Sequence, residues 1–218
     1  MLMLIGQLTG PGLNRADAAM RPGPAPANLN MLLDRVQQHY QETKSFSAKF
    51  DETITRTGAA PLYRSGMIYY EKPGKLRWEF EGSQPETIVS DGKTIYDYDP
   101  ALNQVVETPL AQASRSNAAA AFLLGVGNVK RDFQAEAVMA PGSSGLVHVA
   151  LTPKQEGQRI EAGIDRKTYN IATLSIGDAM GNRTNLSFSN IELNRPLRAS
   201  QFTFTPPDGA DIVSSGGH

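Results

Sequence analysis

Residues 66–80 read Gly-Met-Ile-Tyr-Tyr-Glu-Lys-Pro-Gly-Lys-Leu-Arg-Trp-Glu-Phe, and this stretch most constrains the fold. Proline followed by glycine marks a turn, so the two arms fold back on each other. In the second arm Leu76, Trp78 and Phe80 alternate with Arg77 and Glu79. That is the period of a strand with one apolar face and one wet face. The only tryptophan of the chain lies here. Periodicity leaves the register open. With Pro73-Gly74 alone as the loop, Leu76, Trp78 and Phe80 share a face with Met67 and Tyr69. With Lys75 in the loop they share it with Ile68, Tyr70 and Lys72, because a slip of one residue flips a strand.

Upstream, residues 28–44 carry Leu29, Leu32, Leu33, Val36 and Tyr40 at helical spacing, so one stripe of a helix must lie on something apolar. From Ser45 the period changes to two, with Phe46, Ala48, Phe50 and Ile54 on one side of a long strand. Downstream, residues 86–90 and 93–98 form strands about an Asp91-Gly92 turn, and residues 104–108 form another. Residues 109–132 are a helical insertion with an apolar stretch at 118–124. Strand character then resumes at residues 133–139, 146–151, 159–165, 171–177, 185–193 and 202–205. Short turns between neighbours predict an antiparallel meander of about 10–11 strands, without the alternation of helix and strand that builds a parallel sheet.

Composition removes several function classes. The chain has 218 residues, no cysteine and a net charge of -1. Thiolate metal sites, disulfides, a cysteine nucleophile and an acylated lipobox cysteine are therefore excluded. No strong basic field marks a nucleic-acid surface. His39, His148 and His218 are isolated, no catalytic motif is present, and Asp91, Asp97 and Asp99 lack calcium-loop spacing. Asp97 and Asp99 read as the wet face of their hairpin. No metal, cofactor or enzymatic activity is expected.

The apolar sheet face is then the informative feature. One helix of about four turns and one short insertion are little cover for ten strands. The sheet either holds a ligand in its curve, curls to bury its own face, or forms a sandwich.

At the start, residues 1–20 have an apolar run ending in Ala16-Asp17-Ala18-Ala19, without a basic leader. A signal peptide whose start lies upstream, a tail and a packed segment all fit. Three prolines make residues 21–27 a linker.

Four stretches resemble the periplasmic outer-membrane lipoprotein carrier family, LolA. They are the helix followed by Ser45-Phe46-Ser47-Ala48-Lys49-Phe50, the hairpin from Gly66 to Trp78, residues 89–100 (Val-Ser-Asp-Gly-Lys-Thr-Ile-Tyr-Asp-Tyr-Asp-Pro), and residues 202–209 (Phe-Thr-Phe-Thr-Pro-Pro-Asp-Gly). They occur in the family's order. The resemblance implies an incomplete antiparallel β-barrel, mainly β, with the N-terminal helix and the insertion as its lid. Residues 1–27 become a signal-peptide remnant and linker, residues 28–213 the carrier domain, and residues 214–218 a tail.

The function implied is a monomeric periplasmic carrier. It takes lipoprotein acyl chains from an inner-membrane ABC transporter and passes them to an outer-membrane receptor. A lipid- or lipoprotein-sensing regulator, or a carrier of another lipid, are the alternatives on the same fold. The resemblance places Phe50, Ile68, Tyr70, Leu76, Trp78, Phe80, Ile88, Tyr96 and Tyr98 in the cavity. Leu32, Val36, Phe122, Leu123 and Leu124 fall in the lid. Leu76 stands where the family has an aromatic residue. Lys72 stands where the family often has an arginine that holds the lid backbone. An inward Lys72 selects the register with Ile68 and Tyr70.

Overall fold

The computed structural model describes residues 29–116, 128–138, 145–155, 158–178 and 180–215. It is mainly β. Helix α1 (Leu29–Glu42) precedes strands β1 (Ser45–Thr55), β2 (Leu62–Glu71), β3 (Lys75–Glu81), β4 (Glu86–Asp91), β5 (Thr94–Asp99) and β6 (Gln104–Pro109). Helices α2 (Leu110–Ser116) and α3 (Val129–Asp132) follow. Then come β7 (Phe133–Val138), β8 (Leu146–Pro153), β9 (Ile160–Asp165), β10 (Ile171–Gly177) and β11 (Arg183–Leu193). A 3-10 turn (Ala199–Phe202) and β12 (Asp211–Ser214) end the described chain.

The described strands form one sheet in the order β12-β6-β5-β4-β3-β2-β1-β11-β10-β9-β8-β7. Two antiparallel meanders, β1–β6 and β7–β11, are joined by the long β1–β11 ladder. β6 and β7 stand far apart in this order, and the sheet is open. It is nevertheless strongly curved. Ile68 and Phe80 from one meander share a single apolar cluster with Val149, Ala162 and Leu174 from the other, and with Leu33 and Val36 of α1. An extra residue in β11, opposite the step from Ser47 to Lys49, adds a bulge beside Asn190, whose φ is 51°. Bulges increase local twist and help a sheet wrap.

Two details depart from the sequence reading. Residues 202–205 are not a strand. Instead β12 pairs with β6 in parallel, and Ser215 N–H donates to the Glu107 carbonyl. The β4–β5 turn centres on Gly92-Lys93 rather than Asp91-Gly92. The Asp91 carboxylate accepts the Lys93 and Thr94 amides at 2.7 and 2.8 Å, and Gly92 takes φ 97°. The expected lid residues Phe122, Leu123 and Leu124 lie outside the described residues.

Candidate functional site: the inner sheet face beneath helix α1

The organising hairpin pairs Tyr70 with Leu76, Ile68 with Trp78 and Gly66 with Phe80. Ile68 and Tyr70 therefore share the inner face with Leu76, Trp78 and Phe80, as an inward Lys72 demands. The loop differs from the expectation. It is Lys72-Pro73-Gly74, with a cis Lys72-Pro73 bond and Gly74 at φ 68°, so Lys72 leaves the ladder while its side chain still turns inward.

Along this face the residues fall into rows. Phe46, Tyr70 and Leu76 form the row nearest the loop, and Ala48, Ile68, Trp78 and Ile88 the next. Phe50, Gly66 and Phe80 form the third. The Phe50 ring meets Trp78 and Phe80 edge-on, with centroids 5.4 and 5.0 Å apart. Gly66 makes this possible, because a Cβ there would collide with the Glu79 carbonyl oxygen and crowd the Phe50 ring. Phe50, Ile68, Tyr70 and Phe80 are buried, while Leu76, Trp78 and Ile88 are half-buried at the edge of the cluster. Among the described residues, the buried Trp78 Nε1–H has no hydrogen-bond partner.

Helix α1 lies on this face through Leu33 and Val36, both buried, with Leu29, Leu32 and Tyr40 packed beside them. Polar contacts fix it on three sides. Lys72 Nζ donates to the Tyr40 and Gln41 carbonyls at 2.7 and 2.8 Å, satisfying acceptors that the end of a helix leaves open. Burial holds the Lys72 ammonium below its ordinary pKa. Across the sheet, the Ile171 amide donates to the Tyr40 phenol oxygen at 3.0 Å, and His39 Nε2 hydrogen-bonds Asn170 Oδ1 at 2.7 Å. Burial pushes the Tyr40 phenol up to about 12, against the opposing hydrogen bond from Ile171. Toward α3, the Val129 amide donates to Gln37 Oε1, and Lys130 pairs with Asp34. The last turn of α1 thus bridges the β2–β3 loop and the β9–β10 turn.

This arrangement is an open, curved sheet with an apolar inner face under an amphipathic helix. A profile of the family described as "Outer membrane lipoprotein carrier protein LolA" matches residues 41–205. The chain belongs to the LolA family. Its relatives include the outer-membrane lipoprotein carrier protein of Dechloromonas aromatica, 34% identical over 183 residues, which are 83% of this chain and 86% of that one. The protein of the same description from Cupriavidus necator is 32% identical over 203 residues, 91% of this chain and 94% of that one. Among solved structures, an uncharacterized conserved protein from Thermus thermophilus shares the fold. Its TM-score is 0.52 at 16% identity, covering 85% of this chain and 98% of that one.

In this LolA-family chain seven of the nine expected cavity residues lie on the inner face. Tyr96 and Tyr98 do not. A two-residue turn places Asp97 opposite Ile88 and Tyr96 opposite Val89, so the two tyrosines point to the outer face. There Tyr96 stacks on Phe204 with centroids 5.5 Å apart, and Tyr98 packs against the same ring at 5.9 Å. Buried Val89, Val105 and Phe202 complete a small second core on that side. The outer face of β4–β6 is therefore partly covered, and Phe202 and Phe204 of the residues 202–209 signature supply the cover.

Asp97, expected on the wet face, is buried on the inner one, and burial pushes its carboxyl up. Sequence reasoning also passed over Glu52, Arg64 and Glu86. Arg64 Nε donates to Glu52 Oε2 and its Nη1 to Glu86 Oε2, both at 2.6 Å. Strand parity carried the signal, since Glu52 follows Phe50 by two and Arg64 precedes Gly66 by two.

Proposed function

We propose that this LolA-family protein is a periplasmic carrier that shelters the acyl chains of lipoproteins on its inner sheet face and moves them from the inner to the outer membrane. One observation carries the reading. The ledge of Leu76, Trp78 and Ile88 borders an apolar face whose helix cover is anchored at its end by a few polar contacts.

The physics of the cargo demands such a surface. Each methylene left in water costs about 0.8 kcal/mol, so a chain of roughly fifteen costs about 12 kcal/mol. A sheltered apolar face removes that penalty without chemistry. Delivery also requires release. A cover tied to the sheet by a lysine, a tyrosine and a histidine at one end, and elsewhere by polar contacts to the short helix α3, is easier to lift than one sewn into the sheet along its length.

On this reading Leu32 and Val36 belong to the lid and Lys72 is its latch. The donor is an inner-membrane ABC transporter and the acceptor an outer-membrane receptor. The protein acts as a monomer, needs no cofactor and catalyses no reaction.

The test is a release assay. Inner-membrane vesicles bearing labelled lipoprotein and the cognate transporter are energised with ATP in the presence of the purified protein. The reading expects labelled lipoprotein in the soluble fraction as a complex with this chain. Lipoprotein that stays in the vesicles, with another lipid co-purifying in mass spectra of the protein, contradicts it.

A further inference from the structure

On β1 to β4 the apolar rows of the inner face give way to charge, whereas on β11 and β10 the same row stays apolar with Leu186 and Leu174. Beyond Phe50 and Phe80 the next row on β1 and β2 is Glu52 opposite Arg64, and on β4 Glu86 stands opposite Phe80. The Arg64 guanidinium bridges the two carboxylates and lies 4.0 Å over the Phe80 ring centroid. The three side chains are 10%, 0% and 8% exposed in the order Arg64, Glu52, Glu86. Asp97, on the same face of β5, stands opposite Ile88 and flanks the strip one row nearer the loop than Glu86. A buried ionic network of this kind is costly to assemble, and apolar side chains of similar size hold a core together at least as well. Its place at the foot of an apolar strip points to a use other than stability.

We propose that Glu52, Arg64, Glu86 and Asp97 form a polar end wall that limits how long an acyl chain the Leu76–Trp78–Phe80 strip can shelter. The inference rests on the carrier reading and deepens it. The strip from Leu76 to Phe80 covers four residue steps, about 13 Å of strand. An acyl chain lying along it from the lysine loop gains apolar contact until it reaches Phe80. The next methylenes meet a guanidinium and carboxylates already bonded to one another. Admitting the chain there would part buried charges, so added length brings no further affinity. Chain length is thereby read by where the apolar rows end.

The probes are saturated fatty acids from six to sixteen carbons, titrated against the purified protein with Trp78 emission as the readout. Each pair of methylenes buried on the strip raises affinity roughly tenfold. In the wild type that gain stops at one chain length. Two variants move the stop in opposite directions. The combined E52L, R64M, E86L and D97N variant removes the guanidinium and its carboxylate partners together. It is expected to keep gaining for at least one further two-carbon step. Ile88→Glu puts an acid on the strip itself, in the Trp78 row beside Asp97, and is expected to lose at least tenfold for the longer chains while keeping the short ones. If the wild type binds no fatty acid of any length, the carrier reading itself falls. If it binds them with no stop up to sixteen carbons, or with a stop that neither variant moves, the end wall is wrong and the carrier reading stands. Should the combined variant fail to fold by circular dichroism, the wild-type profile and Ile88→Glu decide alone.

Discussion

Lys72 reaches from the β2–β3 loop to the end of helix α1, where its Nζ lies 2.7 Å from the Tyr40 carbonyl oxygen. A cation at a helix C-terminus satisfies both an orphan acceptor and the dipole. Lys72→Met should therefore cost about 1 kcal/mol of stability, allowing for partial exposure. It should also speed amide hydrogen exchange in the last turn of α1 more than elsewhere. Lys72→Arg should retain most of the protection. Unchanged exchange in α1 of the methionine variant would show that the contact does not hold the helix.

Phe50 sits between the rings of Trp78 and Phe80 and is fully buried. Phe50→Ala should cost about 3–5 kcal/mol, the range for emptying a buried aromatic site. Urea unfolding measures this directly, and a loss below about 1 kcal/mol would mean the inner face repacks readily.

Gly66 matters for what it lacks. Any Cβ at this position strikes the Glu79 carbonyl oxygen, which belongs to the paired strand and cannot swing aside. Gly66→Val should destabilise by about 3 kcal/mol or more, within the range of strand overpacking and backbone displacement. A thermal midpoint equal to wild type would contradict the close approach of β2 and β3.

The two cores should separate by mutation. Phe204 packs on Tyr96 and Tyr98 outside the sheet, whereas Trp78 lies on the inner face. Phe204→Ala should lower stability by about 1–3 kcal/mol, discounted for its partial exposure, and leave acyl binding unchanged. Trp78→Ala should weaken binding of a fluorescent fatty acid in proportion to its stability loss or more. Equal effects of both variants on binding would deny the division of faces.

Asp97 supplies a pH dependence. Burial raises its pKa in the folded protein above the unfolded value. The folded state then binds the proton more tightly, so this group's contribution to stability is full below the unfolded pKa and is lost as pH rises through the folded one. Asp97→Asn mimics the protonated form. It should be more stable than wild type at neutral pH, with the gap narrowing on acidification. A gap that widens toward acid would reverse the assignment.

Much of this was legible in the sequence because alternation along a strand is local. Leu76, Trp78 and Phe80 declared their shared face, and the Leu33–Val36 stripe declared a helix with something to cover. Parity failed only where the resemblance was given more weight than counting. The resemblance puts Tyr96 and Tyr98 inside, although pairing with Ile88 puts Asp97 there. The outer core was hidden for another reason. Phe204 reaches β5 and Phe202 reaches Lys75 of β3 from more than a hundred residues away, and no local period reports such a contact. Asn170 and Ile171, which meet the end of α1 from the far side of the sheet, were hidden in the same way.

The central claim is that the inner face of the sheet shelters acyl chains, and the single tryptophan sits on that face. The most direct measurement is the emission of Trp78 during titration with a synthetic acylated lipopeptide and with the same peptide lacking its acyl chains. The carrier account predicts a saturable change in emission with the acylated peptide alone, abolished when excess fatty acid competes. No change with the acylated peptide, or the same change with both peptides, would contradict it.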